Sequence, residues 1–598
     1  MTAGASVVEW IRGQAARRPE AEALFAPERR PLTYRSLVEQ IDAAAVALAS
    51  AGVRRGDRVA VVLPNGPEMA TAFLAVSATA TCAPLNSSYT SQEFEFYLSY
   101  LKPRLLIAQA GSASPAAAVA AALGMRVIEL LPQPGEPAGV FALNGTGGRA
   151  KAPHAARAGD VALVLHTSGT TSRPKIVPLT HANLAASAGN IAAALQLSPQ
   201  DRCLNFMPLF HVHGLIGAVL ASLTAGAGVI CAPGLDPDLV MEWLGALAPT
   251  WYTAVPTMHQ AILEAAGRNP DLAGRVRLRF IRSCSSALSP QVGQRLEAVF
   301  HAPVIEAYGM TEASHQIACN PLPPRPHKFG SVGLPTGDEV TILDEGGEPL
   351  LPNAQGEIAI RGANVMGGYV DNPAANASAF SSGWLRTGDR GYRDEDGYIF
   401  IQARLKEMIN RGGEKISPRE IDEALLQHPA VLQAVAFAVP HPTLGQDVAA
   451  AVVLRARQAA SAAELRSFVA GRLAAFKVPR WIVFVPEVPK GPTGKVQRIE
   501  LAGKLEAELQ ALAADVRRDA PRTPVEARLV ATWQEILDLG EIGIHDDFFQ
   551  LGGDSLRAMQ LLARLGDLGP KDLTLADLLK APTVAELAGL IGAGIKKA

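Results

Sequence analysis

The hydrophobic period changes twice along this chain, and few folds accommodate that. Up to Arg404, short β-branched runs alternate with longer helical patterns. RVAVVL (58–63), RLLIAQ (104–109), VALVLH (161–166) and EIAIRG (357–362) read as strands. NGPEMATAFLAVSATA (65–80) and the segment after His181 read as helices. Such alternation predicts layered α/β structure with largely parallel sheets. The turn-rich GSVGLPTGDEVTILDEGGEPL (330–350) adds a β-rich part that closes this region. Residues 405–510 then read as a small α+β unit, with ISPREIDEALLQH as a helix and AVAFAVP, VAAAVVL and WIVFVPE as strands. A polar, proline-bearing stretch marks a linker at 511–522, and 523–598 turn wholly helical. Thr523–Glu526 and Thr583–Glu586 have the capping-box pattern of helix starts. The fold class expected is therefore α/β multidomain: a large α/β region (1–404), a small α+β region (405–510), the linker and a small helical bundle.

At 598 residues the chain is too long for one core. Lys plus Arg number 55 and Asp plus Glu 57, a net charge of −2, which leaves no electrostatic footprint for nucleic acid or anionic lipid. Five scattered cysteines, without a C-x-x-C, argue against a disulfide framework or a zinc site. The first twenty residues lack a basic start and apolar core, so no secretory signal is expected. Leu215–Ala232 is uncharged for 18 residues, but Ser222, Thr224, Gly226 and Gly228 interrupt it. A buried helix, turn and strand is expected there, not a membrane span. The expectation is a soluble, cytoplasmic protein.

HTSGTTSRPKIVPLTH (166–181) carries the strongest local chemistry. It follows an apolar strand and offers hydroxyls, a glycine and a lysine that could cradle phosphate oxygens. Its spacing is not that of the P-loop, and by composition alone it could equally be a polar surface turn. Four further segments settle the choice: YGMTE (308–312), TGD (387–389), ARLKEMINRGGEKI (403–416) and PKGPTGKVQR (489–498). With these motifs in order, the chain resembles the adenylate-forming superfamily of acyl-CoA synthetases, luciferases and peptide-synthetase adenylation domains. The likeness runs from about residue 10 to 505, although Ser172 and Ile176 stand where glycine is usual. On this resemblance 1–404 is the large and 405–510 the small, mobile part of an adenylation domain.

The resemblance implies a reaction in which ATP and a carboxylate give an acyl-adenylate, from which a thiol then displaces AMP. It implies ATP contacts from Thr167, Ser168, Gly169, Thr170, Thr171 and Lys175, with Tyr308 flanking adenine, Asp389 on the ribose hydroxyls and Arg404 beside ribose and phosphate. Thr311 would meet the α-phosphate and Glu312 would hold Mg2+, a hard ion suited to oxygen ligands. Lys495 matches the catalytic lysine and Lys406 the hinge. FQLGGDSL (549–556) resembles the phosphopantetheine attachment motif of carrier proteins, with Ser555 as acceptor, so a phosphopantetheinyl transferase is an implied partner. A serine at a helix start is otherwise simply a cap.

The acid is read from PLFHVHGL (208–215). His211, grouped with the catalytic residues, takes the aromatic slot of amino-acid-activating relatives, and Val212 takes the slot of the aspartate that pairs with the α-ammonium. Valine leaves such a charge unpaired, at a cost of several kcal/mol or about that order. RSCSSALSP (282–290) and EASHQIACNPLPP (312–324) resemble the oxalate–CoA ligase branch. His213, Ser285, Ser286 and His315 are thus candidates to meet a small acid with a second polar group, against the plainer reading of the two histidines as satisfied core imidazoles. The expectation is an adenylation–carrier protein of nonribosomal peptide or polyketide type, handing its acyl group to a condensation or ketosynthase partner in trans. A CoA ligase whose carrier serves only recognition, and a carrier-bearing scaffold with a dead ATP site, are the alternatives.

Overall fold

A computed structural model describes residues 6–146, 152–167, 174–441, 444–490, 496–514, 519–537, 539–546, 548, 551, 555–565, 573–574, 577–578 and 581–595. The chain divides into two compact units, and the division falls between Ile401 and Gln402 in the strand Ile399–Arg404.

The first unit contains two large, mostly parallel sheets. Seven strands run in the order Phe141–Asn144, Arg126–Pro132, Leu105–Gln109, Arg58–Val62, Thr81–Pro84, Val161–Thr167 and Lys175–Thr180. Nine run from Leu334–Pro335 through His315–Cys319, Val304–Met310, Phe280–Ser283, Trp251–Ala254, Arg202–Asn205, Gly228–Cys231 and Glu22–Phe25 to Leu32–Thr33. The strands at the centre of both are buried on both faces, so they appear in the sequence as unbroken apolar runs. In the helix Pro67–Ser77, largely apolar on every side, all residues except Glu68 are buried. The expected β-rich part is an antiparallel sheet of Glu339–Leu343, Gly356–Arg361, Trp384–Arg393 and Phe380–Ser381, in that order.

Leu215–Ala232 forms the expected buried helix, turn and strand, with one difference. Its first part, His213–Leu220, is a π-helix, and only Ala221–Thr224 is α-helical before the strand Gly228–Cys231. An apolar run has the same appearance in either helix, so the wider turn was not visible in the residue pattern. Such turns recur at functional sites. No helix among the described residues is long and apolar enough to cross a membrane. All five cysteines are free and buried.

In the second unit, Gly445–Leu454 lies between Ile409–Arg411 and Val431–His441 and pairs in parallel with Trp481–Phe484. Helices Pro418–Leu426 and Ala462–Ala470 cover this sheet through Ile421, Leu425, Leu465 and Val469. The helix Glu506–Ala514 runs into the stretch expected as linker. Beyond it, helices Pro524–Leu537, Ser555–Arg564 and Val584–Ile595 surround a core of Leu529, Trp533, Leu561 and Ile591. Both expected capping boxes are present: Glu526 N–H donates to Thr523 Oγ1 (3.1 Å), and Glu586 N–H to Thr583 Oγ1 (3.2 Å).

Candidate active site

The site is built where the nine-stranded sheet ends in a tight hairpin. Val304–Met310 and His315–Cys319 are antiparallel, with Met310 opposite His315 and Gly309 opposite Gln316. A Cβ on Gly309 would lie 1.6 Å from the His315 carbonyl oxygen, so only glycine permits this approach. Between the strands, Thr311–Ala313 form one turn of 3₁₀ helix, followed by Ser314 and His315 at φ of 51° and 109°. Asn364 fastens this strained turn: its Nδ2 donates to the Ala313 (3.0 Å) and Gln316 (3.2 Å) carbonyls, and Ser314 Oγ donates to the Asn364 carbonyl (2.8 Å). Asn364 Nδ2 also reaches Asp338 Oδ2 at 2.9 Å, and burial pushes the Asp338 carboxyl up to about 7.

Residues expected to serve the nucleotide fall into two contact groups. Tyr308, at 7% exposure, donates its hydroxyl to Asp389 Oδ2 at 2.6 Å, so the base-flanking and ribose residues are joined directly. Asp389 N–H donates to Thr387 Oγ1 at 3.1 Å, and the strand Trp384–Arg393 carries both. In the second group Glu312 accepts from the Tyr369 hydroxyl at 2.7 Å, while Lys175 Nζ sits 4.4 Å from the Tyr369 ring centroid. Burial and then the adjacent Glu312 carboxylate raise the Tyr369 hydroxyl pKa, so it stays a donor. Thr167 lies opposite Lys175 in the strand pair. Tyr369 was not anticipated from the sequence, where an aromatic after two glycines gave no sign of the partners it holds.

Residues expected to serve the acid form a second, separate cluster. His213 is fully buried on the first turn of the π-helix, with Nδ1 3.0 Å from Ser285 Oγ and Nε2 2.6 Å from Thr253 Oγ1. Its ring stacks on His315, with centroids 5.1 Å apart. Behind them lies Arg282, also fully buried, which donates to His315 Nε2 (3.0 Å), Gln316 Oε1 (2.8 Å) and Thr253 Oγ1 (3.3 Å). Gly217 makes room for this contact, since a Cβ there would fall 2.5 Å from His315 Nε2. Ser285 itself has φ of 77°, a second strained residue in the cluster beside His315. Arg282 and Thr253 were missed in the sequence, although an arginine inside the apolar run RFIRSC was a usable signal, because buried charge is rare without a purpose.

Other expected residues lie elsewhere. Val212 is 2% exposed and packs in the main core with Leu209, Leu215 and Ile216. His211 accepts the His213 backbone N–H on Nδ1 at 3.3 Å. Ser286 is exposed and donates to the Ser285 carbonyl (2.9 Å). Thr311 opens the 3₁₀ turn. In the second unit, Arg404 ends a strand and Lys406 lies in the exposed turn after it. Ser555 is the first residue of its helix. Ser168, Gly169, Thr170, Thr171 and Lys495 fall outside the described residues.

Comparison with known proteins gives the family. A family model of the AMP-binding enzymes matches residues 11–370, a model of their C-terminal domain matches 420–495, and a phosphopantetheine attachment model matches 527–591. The oxalate–CoA ligase of Arabidopsis thaliana is 45% identical over 487 residues, covering 80% of this chain and 95% of that protein. The sulfoacetate–CoA ligase of Cupriavidus necator is 36% identical over 494 residues, covering 82% and 96%. Among solved structures, ATP-bound MatB from Rhodopseudomonas palustris has a TM-score of 0.76 at 28% identity, covering 86% of this chain and 99% of its own. The o-succinylbenzoate–CoA synthetase of Bacillus subtilis with AMP has a TM-score of 0.71 at 28% identity, covering 83% and 98%. On the fold and these matches, the chain belongs to the adenylate-forming AMP-binding enzymes, acid–thiol ligases of the oxalate–CoA ligase-like branch, and carries a phosphopantetheine carrier domain behind the ligase.

Proposed function

We propose that the protein activates a small carboxylic acid, lacking an α-ammonium and bearing a second polar group, as its acyl-adenylate and loads it as a thioester on a phosphopantetheine arm at Ser555. The observation that carries this is the presence, in one chain, of an acid–thiol ligase and an attachment domain. Charge grows on the α-phosphate as the carboxylate attacks, so fixed donors and cations near it supply most of the catalysis. Thr311 and Lys495 take that role, while Thr167, Ser168, Gly169, Thr170, Thr171 and Lys175 hold the remaining phosphate oxygens. Tyr308 flanks the adenine, Asp389, fixed by its 2.6 Å bond from Tyr308, accepts from the ribose, and Arg404 is assigned to ribose and phosphate. Glu312 suits Mg2+: its Oε1 is held by Tyr369, and as a single carboxylate it would share the ion with phosphate oxygens and water. The metal would neutralise phosphate charge there. Lys406 is the hinge about which the small part turns between half-reactions.

The acid reading rests on two observations. Val212 is buried in the core and carries no counter-charge for an amine, whereas His213, Ser285 and His315 converge as polar groups. Two relatives are named for oxalate and sulfoacetate, small acids with a second anionic group. His211, whose Nδ1 accepts the His213 backbone N–H, is assigned to the catalytic groups, and Ser286, next to Ser285 in the chain, to the acid. Product transfer then requires a condensation or ketosynthase partner in nonribosomal peptide or polyketide-type biosynthesis. The relatives named as CoA ligases favour one second reading, in which free CoA is the thiol and the carrier serves recognition only.

Intact-mass analysis after phosphopantetheinyl transfer, with ATP, Mg2+ and an acid panel, separates the two. An acyl-pantetheine mass that disappears in Ser555→Ala, while ATP–pyrophosphate exchange persists, supports the first. Acyl-CoA release without a carrier adduct supports the second. Persistence of the adduct in Ser555→Ala refutes the attachment site.

A further inference from the structure

We infer that Arg282 is the positioning residue of the acid site, ordering its protons so that the site accepts the second anionic group of a doubly negative acid. The inference deepens the proposed function and rests on that reading. A guanidinium only donates hydrogen bonds. Arg282 Nη2 lies 3.0 Å from His315 Nε2, so that nitrogen must offer its lone pair and the His315 proton sits on Nδ1. Arg282 Nη1 likewise donates to Thr253 Oγ1 at 3.3 Å. The Thr253 hydroxyl has two side-chain partners, Arg282 and His213 Nε2, and since Arg282 cannot accept, its proton goes to His213 at 2.6 Å. His213 therefore carries its own proton on Nδ1 and gives it to Ser285 Oγ at 3.0 Å. The Ser285 hydroxyl already accepts from His213, so its proton points onward, from a half-exposed residue, to a ligand.

The result is a one-way relay, Arg282 to Thr253 to His213 to Ser285, whose last member presents a donor. Charge points the same way. Arg282 is fully buried, yet its hydrogen-bond partners among the described residues (Thr253, His315 and Gln316) are all uncharged, and Nε has no partner. A buried cation with only neutral neighbours is costly, and an incoming anion compensates it. The site thus combines an uncompensated positive charge with ordered donors, which suits a group that can only accept. A carboxylate or sulfonate fits that description, while an ammonium or an alkyl chain does not.

The test is ATP–pyrophosphate exchange by the full chain, with oxalate and malonate as dianionic acids and glycolate and propionate as monoanionic ones. Arg282→Gln should raise the KM of the dianions about ten- to a hundredfold, with kcat within about threefold and the monoanion KM changed by less than about threefold. Because Arg282 is buried and its replacement endangers folding, the relay is also cut at Thr253. Thr253→Val should raise the dianion KM about tenfold, and Thr253→Ser should restore it. A merely structural role would lower kcat for every acid alike and would not separate Ser from Val. Wild-type exchange with monoanions alone would remove the dianion reading and Arg282's role with it. Wild-type exchange with dianions that survives both Arg282→Gln and Thr253→Val unaltered would overturn the ordering role and leave the proposed function standing.

Discussion

The residues assigned to the nucleotide and those assigned to the acid are held by opposite means. On the nucleotide side each working carboxylate is anchored by one tyrosine, Asp389 by Tyr308 and Glu312 by Tyr369. On the acid side the working groups are imidazole and hydroxyl, backed by a buried cation. A carboxylate only accepts, so a phenol facing it has one way to turn its proton and the direction of the bond is settled. An imidazole or hydroxyl can face either way, so it needs a directed chain to choose. Breaking one side should leave the other's KM intact.

The strongest break is Gly217→Ala. The added methyl would meet His315 Nε2 at 2.5 Å and Arg282 Nη1 at 3.3 Å, and His315 cannot swing away without losing its bond to Arg282. Overpacking of this kind costs about 1–3 kcal/mol. Exchange kinetics should show the acid KM raised about thirty- to a hundredfold, with the ATP KM unchanged within about twofold. An equal rise in both would mean that the two sides are mechanically one.

A smaller effect tests the other side. Tyr308→Phe removes the 2.6 Å bond to Asp389 while keeping the ring. A hydrogen bond to a charged group is worth about 1.5–3 kcal/mol, so the ATP KM should rise at least about tenfold. The acid KM should stay put. A change confined to the acid would invert the assignment.

The two sides also differed in how much the sequence disclosed. Strands such as Arg58–Val62 and Val161–Thr167 were legible because apolar β-branched runs between helical patterns have few other solutions. YGMTE and TGD named Tyr308, Glu312 and Asp389, but not the pairing of Tyr308 with Asp389, which spans 81 residues. Tyr369 is 57 residues from Glu312 and no local pattern joins them. On the acid side, His213, Ser285 and His315 were legible as chemistry-bearing types. Their order was not, because it depends on Thr253 and Arg282 from two adjacent parallel strands, where Thr253 lies opposite Arg282. The π-helix was hidden for a different reason: period alone does not register one extra residue in a uniformly apolar run.

The least disruptive test concerns the brace beneath both sides. Asn364 Nδ2 reaches Asp338 Oδ2 and also the carbonyls on either side of the strained residues Ser314 and His315. Burial raises the Asp338 carboxyl to about 7, well above the usual carboxylate range. In the folded chain it therefore holds its proton at pH values where the unfolded chain has lost it. Stability must then fall as pH rises from the ordinary carboxylate value towards 7 and become independent of this group above that. Asp338→Asn keeps the shape and removes the titration, so its thermal midpoint should not follow that part of the slope. The difference should be about 1–3 °C between pH 5 and 7.5, since a large unit dilutes a single group. Thermal melts of both proteins across that range check it, and parallel slopes would show that Asp338 does not titrate there. Because the brace carries Glu312 and His315 on one turn, any loss of activity in Asp338→Asn should appear equally in the ATP and acid KM. Asp338→Asn should thus cross the division between the two sides.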